Sequence, residues 1–156
     1  MDDDIKTTAE ALESAVHAPK AAVIHSDPAA KSLEQDPLPD AIAKKPVEQK
    51  SPAEWAYQRL ILYIQNFEKT LNAEEEVAMG FTDTGAGVLK IEGLGYFDPD
   101  VVTFYGTDQT GARVQLVQHV SQLNVLLRSM PKENAAKEPR RIGFRLAEAL
   151  DESSGT

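Results

Sequence analysis

The stretch that most constrains the fold is Arg113 to Met130, RVQLVQHVSQLNVLLRSM. In an extended chain, Val114, Leu116, Gln118 and Val120 fall on one side. Arg113, Gln115, Val117 and His119 fall on the other. Branched apolar residues at this spacing suit a pleated, half-buried surface. Ser121-Gln122 breaks the run, and Leu123 to Leu127 resumes it as a short further strand. A helix over Val120 to Met130 is the competing reading, since Val120, Leu123, Leu127 and Met130 also recur near a period of 3.6. Strand, break, strand is the reading carried forward. Strands of this kind cannot bury their apolar side alone, so the run needs the rest of the chain.

A helix begins at Ser51. Ser51 can accept a backbone N–H, Pro52 loses nothing at the first helical position, and Glu54 can reach back to the cap. Ala56, Leu60, Tyr63, Ile64, Phe67 and Leu71 then recur at three- and four-residue spacing. Trp55, Ile61 and Leu62 lie off that stripe, so the helix should meet a sheet and a second surface, either another subunit or more of its own chain. The acidic run Glu74 to Glu76 opposes the helix dipole and places the end near Leu71 or Asn72.

Strands are expected at Val77 to Phe81, Val88 to Tyr96, Val101 to Tyr105, Arg113 to Val120 and Leu123 to Leu127. Turns fall at Asp83 to Gly87, Asp98 to Asp100 and Asp108 to Gly111. Gly93 and Gly95 permit the sharp bend a small barrel requires. The expected fold is mainly β with an N-terminal α-helix, a strongly bent five-stranded barrel over residues 51–150. Ile142 to Leu150 returns to the body, its first half as an edge strand and its second half as a helix. Residues 151–156 form a frayed tail.

All ten aromatic residues lie between Trp55 and Phe144, so the first fifty residues offer little to a core. That segment is acidic and interrupted by Pro28, Pro37, Pro39 and Pro46, which predicts a largely disordered stretch over 1–50. Leu12 to Ile24 is a candidate docking peptide within it. The chain has no cysteine, which excludes disulfides and thiolate chemistry. No apolar run reaches 18 residues, and a cytoplasmic protein with no membrane contact is expected. The net charge of −9 disfavours non-specific nucleic-acid binding.

From Leu89 to Gly106 (LKIEGLGYFDPDVVTFYG) and Val114 to Leu127 (VQLVQHVSQLNVLL), the sequence resembles the Sm/Hfq-like small-barrel family. The resemblance implies an Sm-like or SH3-like barrel, ring assembly through strands four and five, and RNA binding. The chain departs from that family at Gln118, where a basic residue would precede the junction histidine, and in the longer Asp108 to Gly111 turn. Trp55 to Phe144 is also similar to a family of uncharacterised bacterial proteins, through WAYQRLILYIQNFE, LVQHVSQLNVLL and EPRRIGF. That second resemblance supplies no activity.

The candidate ligand or interface residues are Gln118, His119 and Gln122, whose amides and imidazole can donate and accept. Arg140, Arg141 and Arg145 are the one basic concentration and a candidate contact for an anion or partner. Asp98 and Asp100 read as turn residues rather than cation ligands. No phosphate-loop, zinc-protease or nucleophile-elbow pattern occurs, and Ser121, two residues from His119, gives no sensible triad geometry because adjacent strand residues face differently. An enzyme would need a pocket joining His119 to Asp98 or Asp100. The expectation is therefore a non-enzymatic, self-associating barrel acting as an interaction or adaptor module. The alternative is an Sm-like RNA or single-stranded nucleic-acid binder. No cofactor or metal is expected, and a protein partner beyond the chain itself is open.

Overall fold

The computed structural model describes residues 20–81 and 87–154. Five antiparallel strands form one sheet: β1 (Glu75–Phe81), β2 (Val88–Phe97), β3 (Val101–Thr107), β4 (Arg113–His119) and β5 (Val125–Pro131). Their order is β4-β3-β2-β1-β5. Three α-helices accompany them: α1 (Asp40–Ala43), α2 (Pro52–Glu68) and α3 (Ile142–Ser154). A 3-10 turn, Val120–Gln122, joins β4 to β5.

The sheet is open, which corrects the expected barrel and the Sm/Hfq-like likeness. Closure would require a β4–β5 ladder, and among the described residues each of these strands pairs on one side only, β4 with β3 and β5 with β1. The expected bend is present, as a bulge between Ile91 and Gly93. Its effect is to hand β2 from β1 to β3. Only Met79–Leu89 and Gly80–Val88 pair β1 with β2, whereas β2 and β3 pair from Lys90 to Phe97. The apolar side that a barrel would turn upon itself is covered instead by α2. Ala53 and Ile64 of the helix share one core with Val77, Met79, Phe81, Leu89, Ile91, Val102 and Phe104. Burying that side against a helix satisfies it without closing the sheet.

The start of α2 follows the sequence reading in its cap and its proline, whereas the Glu54 carboxylate accepts from Lys45 and Tyr96 instead of reaching back to the cap. Ser51 Oγ accepts from Glu54 N–H at 3.0 Å, with Pro52 at the first position. The helix is also tied to the β2–β3 turn: Ser51 Oγ donates to Asp98 at 2.6 Å and Ala53 N–H donates to the Pro99 carbonyl at 3.0 Å. It ends at Glu68, with single turns carrying the chain to Leu71. In β4 the alternation puts Val114 and Leu116 against the core and leaves Val117 exposed. The Ser121-Gln122 break is the 3-10 turn, and β5 starts two residues later than expected.

Ile142 to Leu150, expected as half strand and half helix, is helical throughout and extends to Ser154. The reason is local contact: α3 starts against the end of α2 rather than beside a sheet edge. The second surface met by α2 is the chain's own. Ile61 and Leu62 are buried there, and so is Ile42 of α1, which packs against α3. Lys50 reaches in from the preceding segment, donating to the Ile42 carbonyl at 2.6 Å and to Gln58 at 2.7 Å, 5.0 Å from the Trp55 ring. Burial lowers the pKa of that ammonium. Residues 33–49, part of the stretch expected to be largely disordered, thus form short helical turns seated on α2 and α3. Most of the candidate docking peptide, and the Asp83 to Gly87 turn apart from Gly87, lie outside the described residues.

Candidate functional site: an open sheet edge with an apolar groove

The functional features gather at three places. The first lies between α2 and β5. Leu60, Tyr63 and Ile64, one turn of the α2 stripe, face Val125 and Leu127 on the core side of β5. They line a half-open cavity of about 260 Å³ that is almost wholly apolar. The cavity adjoins an edge strand, so the side chains that line it stand beside unpaired backbone. Tyr63 turns its hydroxyl outward and donates to Glu34 at 2.9 Å. The backbone N–H of Glu34 itself, then Ser32, then this bond from Tyr63 hold the Glu34 carboxyl below its usual range.

The second place is the junction of β4 with the 3-10 turn. His119 Nε2 is 3.0 Å from Asp100 Oδ2, and His119 Nδ1 is 2.8 Å from Ser121 Oγ. Ser121 N–H donates to the same Nδ1 at 3.0 Å, and Gln122 accepts from His119 N–H at 2.9 Å. Val120 N–H donates to the Asp100 carbonyl at 2.9 Å, pinning the turn to the start of β3. Sequence reasoning set Ser121 aside because neighbouring strand residues face differently. That ground applies only to residues one apart, whereas His119 and Ser121 are two apart; the strand ends at His119, and the turn sets Ser121 against the imidazole. The structure joins His119 to Gln122 only through the His119 backbone N–H. It separates Gln118, which lies on the core face, 6% exposed, with its side-chain oxygen buried and without a hydrogen-bond partner.

The third place is the basic concentration. Arg141 donates to the carbonyls of Glu75 at 2.6 Å and Asn72 at 3.0 Å. Arg140 donates from its backbone to Glu76 at 3.2 Å and from its guanidinium to the Ile91 carbonyl at 3.3 Å. Both arginines hold the α3 entry onto β1 and β2. Arg145 lies one turn further on and is exposed. Beside them is a residue that sequence reasoning missed. Glu68, 5% exposed, accepts from Phe144 N–H at 3.3 Å and caps the first turn of α3. Burial raises its pKa, against the backbone N–H groups of Gly143 and Phe144 and the charge of Arg141. The only sequence sign of this contact was a glycine at the opening of a helix, Gly143.

Among the described residues no group of three or more His, Asp or Glu side chains is placed to hold a metal ion, and no helix is long and apolar enough to cross a membrane. Residues 45–145 match a family of unknown function designated DUF6173. The chain belongs to that family. No curated protein and no solved structure matches it. The match brings no activity, and it spans α2, the whole sheet and the entry to α3. The open sheet removes the basis for a barrel-built adaptor that self-associates, and for an Sm-like RNA binder, because both rested on a closed small barrel.

Proposed function

We propose that the chain binds an extended, alternately apolar segment of a partner protein along the free edge of β5. The observation that carries this reading is the apolar cavity between α2 and that edge. A strand added beside β5 would run about 4.8 Å from it and take up its unpaired N–H and C=O groups. Every second side chain of the added strand would point to the core side, in line with Val125 and Leu127, and enter the groove under Leu60 and Ile64. The backbone pairing supplies affinity, and the groove selects the apolar positions. A groove of this volume takes one or two branched or aromatic side chains, a scale at which side-chain fit decides specificity.

The test is selection of a random peptide library on the full chain, with binding of the enriched sequence measured by calorimetry. The expected result is a motif with apolar residues at alternate positions, its affinity reduced at least about tenfold by Leu127→Arg, which places a charge in the groove. No enriched motif, or binding indifferent to Leu127→Arg, contradicts the reading.

A further inference from the structure

We infer that Ser121, His119 and Asp100 form an acyl-accepting site, separate from the β5 groove. Three groups stand in the order that nucleophilic catalysis by serine needs: a hydroxyl 2.8 Å from an imidazole nitrogen, and a carboxylate 3.0 Å from the other nitrogen. The backbone adds a constraint. Ser121 N–H donates to Nδ1, and only an unprotonated nitrogen can accept it. The ring proton therefore sits on Nε2, facing Asp100. Nδ1 then carries the ring's one free lone pair, shared between the Ser121 N–H and the Ser121 hydroxyl, and is the base that the hydroxyl needs. Asp100 is itself fixed, since its carbonyl accepts from Val120 N–H. Asp100 is thus a positioning residue, acting through His119.

The surroundings indicate the substrate class. His119, Val101 and Phe97 stand in one cross-strand row, on the sheet face turned away from α2. Val117 lies two residues along β4 on the same face, and Tyr105 lies further along β3 over Gly93 and Gly95. Phe97 is 76% exposed and Val117 59%. With Thr103 between them, opposite Val117, they make a largely apolar shelf beside the imidazole. The site is open, with roughly half of the His119 side chain accessible, and so excludes little water. The substrates that fit are esters with a good leaving group and an apolar acyl chain that lies on the shelf.

The step balances without a co-reactant beyond water. Ser121 Oγ bonds to the acyl carbon while its proton passes to His119 Nδ1. The ester C–O bond breaks, and the departing alkoxide or phenoxide takes that proton. Water then adds to the Ser121 ester by the same route, releasing the acid and restoring the hydroxyl.

Two measurements on the full chain test this. Hydrolysis of p-nitrophenyl butyrate is followed by release of p-nitrophenolate. Labelling by an alkyl fluorophosphonate, in which Ser121 Oγ would displace fluoride from phosphorus, is mapped by peptide mass spectrometry. Expected are a label on Ser121 and a rate lowered about 100-fold or more by Ser121→Ala and by His119→Gln, the scale of general-base assistance. Asp100→Asn should also lower the rate, and Asp100→Glu should recover part of the loss, which a purely structural role for Asp100 would not produce. The inference is overturned by a label found only elsewhere, by no label, or by a rate that Ser121→Ala leaves unchanged. Should a variant fail to fold, the position of the label on the unsubstituted chain still decides.

Discussion

Helix α2 is closed on one flank and open on another. At its C-terminal end α3 crosses so tightly that a Cβ on Gly143 would lie 2.7 Å from Gln65 N and 2.8 Å from Gln65 Cα. Glu68 caps the arriving helix, and Arg140 and Arg141 bind backbone carbonyls on the sheet. One turn earlier on another face, Leu60 and Ile64 look across a cavity of about 260 Å³ at Val125 and Leu127. The same helix thus meets its own chain in one place with no room for a methyl group, and leaves room for side chains in another. Interiors are normally packed to crystal-like density, and the unfilled apolar groove at the sheet edge is the feature on which the proposed binding rests.

Adding one carbon at each place should separate the two. Gly143→Ala sets a methyl against backbone that cannot yield cheaply. It should cost about 2–3 kcal/mol in denaturant unfolding. A cost below about 0.5 kcal/mol would show that the junction has slack. At the groove, the same addition should have the opposite sign. Val125→Ile extends into empty apolar space and should raise stability by up to about 0.8 kcal/mol. It should weaken peptide binding as well, because it occupies part of the groove. A destabilising Val125→Ile would mean that the groove is already closed in solution.

The junction also carries a pH dependence. Burial raises the folded-state pKa of Glu68, so the folded chain holds that proton more tightly than the unfolded chain. Its contribution therefore makes stability fall as pH rises from the ordinary carboxylate range through the raised folded value. Glu68→Gln should flatten that part of the stability profile, measured by thermal unfolding across weakly acidic pH, and Leu127→Ala should not. An unchanged slope in Glu68→Gln would remove the burial argument.

Much of the architecture was legible in the sequence. Ser51-Pro52-Ala53-Glu54 marked the start of α2 because capping is a local interaction between residues three apart. Alternation marked all five strands to within a few residues. Closure was not legible, because Gly93 and Gly95 report that β2 can bend and say nothing of where β4 and β5 end in space. The helical character of the first half of Ile142 to Leu150 was out of reach, since Glu68, far earlier in the chain, caps it. At the β4 junction the residues were in view and Ser121-Gln122 was placed in a break, but the strand was carried through Val120 and the turn's geometry was not drawn. His119 closing the strand and Gln122 three residues later form a capping pattern, and its recognition would have brought Ser121 back to the imidazole.

The central claim is that the free edge of β5 with its groove receives an extended partner segment. Amide hydrogen exchange of the full chain, with and without a saturating amount of the selected peptide, tests it most directly. Protection should rise over residues 125–131, with residues 113–119 on the opposite edge and residues 142–152 of α3 unchanged. Protection that appears on β4 instead, or nowhere in the sheet, would contradict the account.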